Sequence, residues 1–117
     1  MDLISTKTHG YLDYIMAIFF IFIPYAFNLD SQSAQGIVFY VFGASMLFFG
    51  LLTNYELGIV KAIPMKTHLI LDTVSGIVLA ASPWLFGFAD TVYLPHLILG
   101  LMEIGVAAIT RSTPEKI

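Results

Sequence analysis

Four apolar runs, roughly 10–27, 36–53, 69–88 and 92–110, alternate with short polar stretches along the chain. Each holds about 18–20 residues, and a helix rising 1.5 Å per residue carries such a run ~27–30 Å, the thickness of a bilayer's hydrocarbon core. None alternates apolar and polar residues as a barrel strand does. Backbone polar groups in lipid must be satisfied within their own segment, so the runs predict helices. The expected fold is all-α: a polytopic membrane protein with four transmembrane helices. The first run is longer than a signal peptide's apolar region, is rich in Phe and Tyr, and is followed by no small-x-small cleavage site. It is therefore expected to be an uncleaved first span.

The chain repeats itself. Lys7-Thr8-His9-Gly10-Tyr11-Leu12-Asp13 returns 59 residues later as Lys66-Thr67-His68-Leu69-Ile70-Leu71-Asp72. The match runs on through Ile18/Ile77, Pro24/Pro83 and Phe27/Phe86, with Ile15/Val74, Ala17/Gly76 and Tyr25/Trp84 as conservative pairs. An ungapped echo of this kind marks a duplicated structural unit. In the second halves a shorter outer turn changes the offset to 57, which pairs Gly43/Gly100 and Thr53/Thr110. The reading is one membrane domain over 1–117, with repeat one at 7–58 and repeat two at 66–111. Each repeat is a helical hairpin. Two spans per unit make the copies run in the same direction, related by a pseudo-two-fold along the membrane normal.

Composition agrees: 58% of residues are hydrophobic, 11% are charged, and the mean hydropathy is +0.87, against about a quarter charged in a soluble domain. The charges sort by side. Lys7, Lys61, Lys66, Arg111 and Lys116 all flank the same ends of the spans, while the connections 28–35 and 87–91 carry only Asp30 and Asp90. The positive-inside rule then places both termini in the cytoplasm. Having no cysteine rules out disulfides, thiolate metal sites, iron–sulfur clusters and c-type haem attachment. No basic patch or Gly-rich phosphate loop points to nucleic acid or nucleotides.

Tyr25, Trp84 and Tyr93 fall at the outer span ends, and Tyr11, Tyr14 and Tyr55 near the inner ones, as an aromatic belt would. Gly76 and Ala80 form a small-xxx-small pair, and Gly43, Gly50, Gly100, Gly105 and Ala108 thin spans two and four for helix contacts. Phe19, Phe20 and Phe22 give span one a surface for lipid or a partner. Pro24 and Pro83 each remove a backbone donor and free a carbonyl one turn earlier, which the Ser82 hydroxyl can reach. The link 54–65, with Gly58 and Pro64, is expected to hold a short interfacial helix.

Ala81-Ser82-Pro83-Trp84-Leu85-Phe86-Gly87-Phe88-Ala89-Asp90 resembles the signature of the SPW repeat family, and the resemblance extends over about Lys7 to Thr110. It implies a small bacterial integral membrane protein built from two-helix repeats, with the motif Ser82, Pro83 and Trp84 in the first helix of a unit. The first copy reads Ile23-Pro24-Tyr25, so only the proline stands. The resemblance implies no particular activity.

The residues able to carry chemistry are few. His9 and Asp13 are four apart and share a helix face, as do His68 and Asp72. Glu103 lies ~12 Å in from the inner end of span four, and Asp13 and Asp72 ~6–9 Å in from theirs. Charges inside a span cost about 2.5–3.5 kcal/mol each on insertion scales, so they are expected to face partners, water or the bundle interior. His9, Asp13, His68, Asp72 and Glu103 are thus one candidate polar cluster. Its donors suit a divalent transition metal, or a proton relay. A bis-His haem would sit at the headgroups. The plainer alternative is structural: Thr8 and Thr67 as N-caps and each Asp paired with its own His. His96 is expected at the interface. No nucleophile–base set accompanies Ser45, Ser75 or Ser82, so no enzyme is expected. The leading expectation is a non-catalytic structural or accessory protein of the bacterial inner membrane, without cofactor, partnering lipid, a second copy or another membrane protein. A proton- or cation-handling transporter or metal-binding protein is the alternative.

Overall fold

A computed structural model describes residues 2–114; Lys116 lies outside the described residues. It is all-helical apart from two short strands: α1 (Thr6–Ala26), α2 (Ala34–Leu51), β1 (Thr53–Asn54), β2 (Ile63–Pro64), α3 (Met65–Leu85) and α4 (Leu94–Ile109). Three helices, α1, α2 and α3, are long and apolar enough to cross a membrane. The fourth is shorter than its apolar run. Pro95 fits only a first helical turn, so α4 starts at Leu94, and Thr110 leaves the helix to bridge to Ile4. Its 16 residues span ~24 Å. Conversely, α1 and α3 reach back beyond their apolar runs, to Thr6 and Met65, and so take both histidines into helix.

The caps differ from expectation. Ser5 is the N-cap of α1, its hydroxyl accepting from the Thr8 amide at 3.1 Å, and extended Pro64 precedes α3. Thr8 and Thr67 both lie inside the first turn. At the far end, α1 and α3 stop alike. Phe27 and Phe86 are followed by Asn28 (φ 55°) and Gly87 (φ 75°), left-handed residues that end a helix. The Pro24 and Pro83 carbonyls then accept from Leu29 and Phe88, each at 2.8 Å, folding the turn back onto the helix end.

Each hairpin closes over small residues. A Cβ on Gly43 would lie 2.9 Å from the Ala17 carbonyl, and one on Gly100 2.6 Å from the Gly76 carbonyl. Gly105 faces open space and takes no part in helix contact. Between the hairpins, α2 and α3 come into close backbone contact, and Ala17, Phe20, Ile23, Val38, Phe39, Met46 and Leu79 form the apolar core. Phe20 is therefore interior, and only Phe19 and Phe22 of that trio face outward. The link holds no helix between residues 54 and 64. Instead β1 and β2 pair in parallel, Thr53 with Ile63. At the termini the Leu3 and Ile4 amides both donate to the Ile109 carbonyl, and in the link the Ala62 and Ile63 amides both donate to Leu52. The segment before each first helix is thus tied to the segment after the other repeat's second helix.

Candidate functional site

One turn into α1 and α3, at the end of the bundle that carries the termini, the two His–Asp faces meet. His9 Nε2 lies 2.7 Å from Asp72 Oδ2 and 3.0 Å from Asp13 Oδ2; His68 Nε2 lies 2.8 Å from Asp13 Oδ2 and 3.2 Å from Asp72 Oδ2. The result is a closed ring of alternating nitrogen and oxygen. The shorter contact of each histidine is to the other repeat's aspartate. Both imidazoles are 1% exposed, and Asp13 and Asp72 are 5% and 6% exposed.

The outer edges of the imidazoles decide the chemistry within. His68 Nδ1 is 2.8 Å from the Thr53 hydroxyl, and His9 Nδ1 is 2.8 Å from the Thr110 hydroxyl. Each threonine spends its single hydroxyl proton on a helical carbonyl, Phe49 O for Thr53 and Val106 O for Thr110. The hydroxyl oxygens are therefore acceptors, and Nδ1 of each histidine carries the proton that meets them. A neutral imidazole protonated there turns the Nε2 lone pair inward. Two lone pairs and two carboxylate oxygens then converge with nothing positive between them. Either a proton on each Nε2 or a cation in the ring must fill that role.

The four donor atoms lie within 4.8 Å of one another and could hold a metal ion. Imidazole nitrogen and carboxylate oxygen are both ligands that suit a divalent transition metal. The threonines fix the tautomer and ring orientation, as outer-sphere partners of ligating histidines do. Sequence reasoning paired Thr53 with Thr110 by offset and missed that role. Their signal was a hydroxyl repeated at the end of both second spans.

Around this centre the link forms a lid. Tyr55, expected in the aromatic belt, is 2% exposed, with its ring centroid 6.0 Å from that of His68. Gly10 leaves room for it, since a Cβ there would lie 2.5 Å from the Tyr55 ring. Burial pushes the Tyr55 phenol well above the usual tyrosine range, so it stays neutral over the ring. Thr6, also buried, donates to Glu56 at 2.6 Å and ties the lid to α1. Glu103 is buried near the quartet but outside the ring, and neither of its carboxylate oxygens has a hydrogen-bond partner among the described residues. His96 lies elsewhere. It is buried in the first turn of α4, donates from Nε2 to the Gln35 carbonyl at 2.8 Å, and its ring centroid lies 4.5 Å from that of Phe39.

The family model of the SPW repeat domain matches residues 7–110, nearly the whole chain. The chain belongs to the SPW repeat family. No curated protein and no solved structure matches it. In this SPW repeat protein the tripeptide sits at the opposite end of α3 from the quartet. Ser82 is buried and donates to the Leu79 carbonyl at 2.7 Å, the acceptor that Pro83 leaves free. Trp84 is exposed, its ring 5.7 Å from that of Tyr93, and Tyr25 of the first copy is exposed as well. The name-giving motif shapes a helix end. The chemistry is gathered elsewhere.

Proposed function

We propose that this SPW repeat protein is a non-catalytic, multi-pass membrane protein that binds one divalent transition-metal ion between its two repeats. His9, Asp13, His68 and Asp72 are its ligands. The observation that carries the reading is the pair of Thr–Nδ1 hydrogen bonds, which turns both Nε2 lone pairs onto two carboxylate oxygens. One divalent cation carries the same charge as the two protons it displaces, so metal binding leaves the buried ring's net charge unchanged. Two nitrogens and two oxygens favour zinc, copper(II) or nickel over magnesium or calcium. Metal analysis of protein purified in mild detergent should find one ion per chain, lost in Asp13→Asn and in Asp72→Asn. Wild type that takes up no zinc, cobalt, nickel or copper sinks this reading.

The setting belongs to the same proposal. Four spans form two tandem hairpins related by a pseudo-two-fold along the membrane normal, in the bacterial inner membrane with both termini cytoplasmic. The one-sided Lys and Arg support this orientation. Asp30→Cys and Asp90→Cys should react with an impermeant thiol reagent on intact cells, and Lys7→Cys should not. Labelling of Lys7→Cys from outside overturns the orientation.

A second reading is favoured by the backbone bridges beside the quartet, Ile4 to Thr110 and Thr53 to Ile63. With a proton on each Nε2 the quartet becomes a lock between repeats, and the protein a structural or accessory subunit of lipid-embedded partners or of its own oligomer. Metal-free protein with full stability, purified as an oligomer or with a partner, selects this reading.

A further inference from the structure

The quartet is closed on most sides. Towards the termini both Nδ1 atoms are taken by Thr53 and Thr110, and Tyr55 lies over His68. Of the two seams between hairpins, the α2–α3 seam brings the helices into close backbone contact, whereas α1 and α4 approach less closely. A cavity of about 90 Å³ opens in that looser seam. Its wall carries Asp13, a member of the quartet, and Glu103, with Met16, Met46, Leu99 and Met102 among the remainder. A hole of this size has room for several waters, and Asp13 and Glu103 are the polar groups on an otherwise apolar wall.

Glu103 is the residue that packing does not require. At the offset of 57 that pairs Gly43 with Gly100 and Thr53 with Thr110, its counterpart in repeat one is Met46. Met46 is buried and lines the same cavity. A methionine therefore fills such a position adequately, and a carboxylate inside a helix of a membrane protein is costly unless it is used. Glu103 is 8% exposed, and both its oxygens are without a hydrogen-bond partner among the described residues. A buried carboxyl group without a hydrogen-bond partner among the described residues, on a cavity whose wall also carries Asp13, is a place for a cation to pause.

We propose that this cavity is the way into the quartet, and that Glu103 is the first protein ligand an arriving divalent transition-metal ion meets. The ion passes from Glu103 to Asp13 and is then taken up by both histidines and Asp72. The proposal rests on the quartet's being a metal site. It assigns Glu103 to the rate of loading and release, and leaves the equilibrium affinity to the four ring ligands.

The test compares wild type with Glu103→Met, which installs the residue repeat one already uses, and with Glu103→Gln, which keeps size and shape should the first variant fold poorly. Cobalt(II) is mixed rapidly with detergent-solubilised protein and its d–d absorption followed; release is followed by competition with a chelator. Both variants should still bind one ion per chain with an affinity close to wild type. Loading and release should each slow by roughly tenfold or more, and Glu103→Asp should restore most of the rate. A folded variant that loads as fast as wild type overturns the role of Glu103 while leaving the metal site standing. A folded variant that no longer binds stoichiometrically makes Glu103 a resident ligand and overturns the transit role too. Wild type that binds no cobalt fails at the earlier step, in the reading of the quartet itself.

Discussion

The end of the bundle that carries the termini is built from matched residues of the two repeats, whereas at the opposite end the copies share the proline turns of Pro24 and Pro83 but differ in the residues packed beside them. Near the termini His9 stands to His68 as Asp13 to Asp72, Thr110 to Thr53 and Ile4 to Ile63, and the contacts repeat almost bond for bond. At the other end Phe39 faces His96, and Ile23 stands where the second copy has Ser82. The difference follows from what each residue touches. In the matched region a residue's partner belongs to the other repeat, so a change in either copy breaks a contact that both depend on. At the opposite end contacts also cross between the repeats, as His96 does with Phe39 and with the Gln35 carbonyl, but they join unlike groups, so a change in one copy has no mirrored contact to break. Met46 and Glu103 lie between the two regimes, and there the copies part in charge.

The largest expected effect tests the matched end. His9→Ala, His68→Ala, Asp13→Asn and Asp72→Asn each leave buried charges uncompensated, at a cost of about 3–5 kcal/mol for a truly buried pair. Thermal unfolding in detergent should show large losses, similar for the two histidines and similar for the two aspartates. A silent member on one side would show that the ring depends on one repeat alone. Metal adds to this. At a thousandfold excess over its dissociation constant a ligand of the folded state stabilises by about 4 kcal/mol. Zinc should raise the melting temperature of wild type, a chelator should reverse the gain, and neither should move His9→Ala.

Next come the glycines at the two hairpin crossings. A Cβ on Gly100 would lie 2.5 Å from the Ala80 backbone nitrogen and 2.6 Å from the Gly76 oxygen, contacts with backbone that cannot swing away. On Gly43 the closest approach is 2.9 Å, followed by side-chain atoms of Ile21 and Phe20. Overpacking typically costs about 1–3 kcal/mol, so Gly100→Ala should fall at the upper end, Gly43→Ala at the lower, and Gly105→Ala near zero. Equal losses at Gly43 and Gly100 would mean the two crossings are equally tight.

What the sequence made legible tracks the kind of signal each feature leaves. The long apolar runs and the repeat were readable because both are sustained patterns. The meeting of His9, Asp13, His68 and Asp72 was foreseeable from i, i+4 spacing copied at one offset. The ties that hold them were not. Two-residue strands such as Thr53–Asn54 carry no periodicity, and a tyrosine at a span end looks the same whether it faces lipid or, like Tyr55, fills the space a glycine leaves. Glu103 could be assigned a depth from its helix. Its lack of partners depends on rotation about the helix axis and on what the neighbours are, which one chain's pattern does not fix. The enclosure of His96 was hidden for a related reason: the sequence places a histidine beside Pro95 at a helix start, and does not say that Phe39 and Phe88 surround it.

His96 offers a smaller test at the unmatched end. His96→Phe makes α4 carry the residue that repeat one has at this position, Phe39, and preserves the stacked contact. It removes the donor to the Gln35 carbonyl, worth about 1 kcal/mol as a single hydrogen bond. A modest drop in melting temperature, unchanged by zinc, is expected. A loss of metal binding in this variant would couple the two ends and contradict their independence.

The smallest effect is expected at Ser82. Pro83 has no amide proton, so the Leu79 carbonyl loses its helical partner, and the Ser82 hydroxyl takes its place at 2.7 Å. In α1 the equivalent proline, Pro24, deprives the Phe20 carbonyl in the same way, and Ile23 stands where a hydroxyl would be needed. The first hairpin therefore forms without this bond. Hydrogen bonds inside membrane helix bundles average about 0.6 kcal/mol by mutant cycles, because the alternatives also find partners. Ser82→Ala should accordingly lower stability by about 0.5–1 kcal/mol, measured by thermal or denaturant unfolding in the same detergent as wild type, and leave metal binding untouched. A loss of several kcal/mol would mean that the last turn of α3 relies on a serine that α1 does without. The C-terminal ends of α1 and α3 would then differ in how they are held together as well as in sequence.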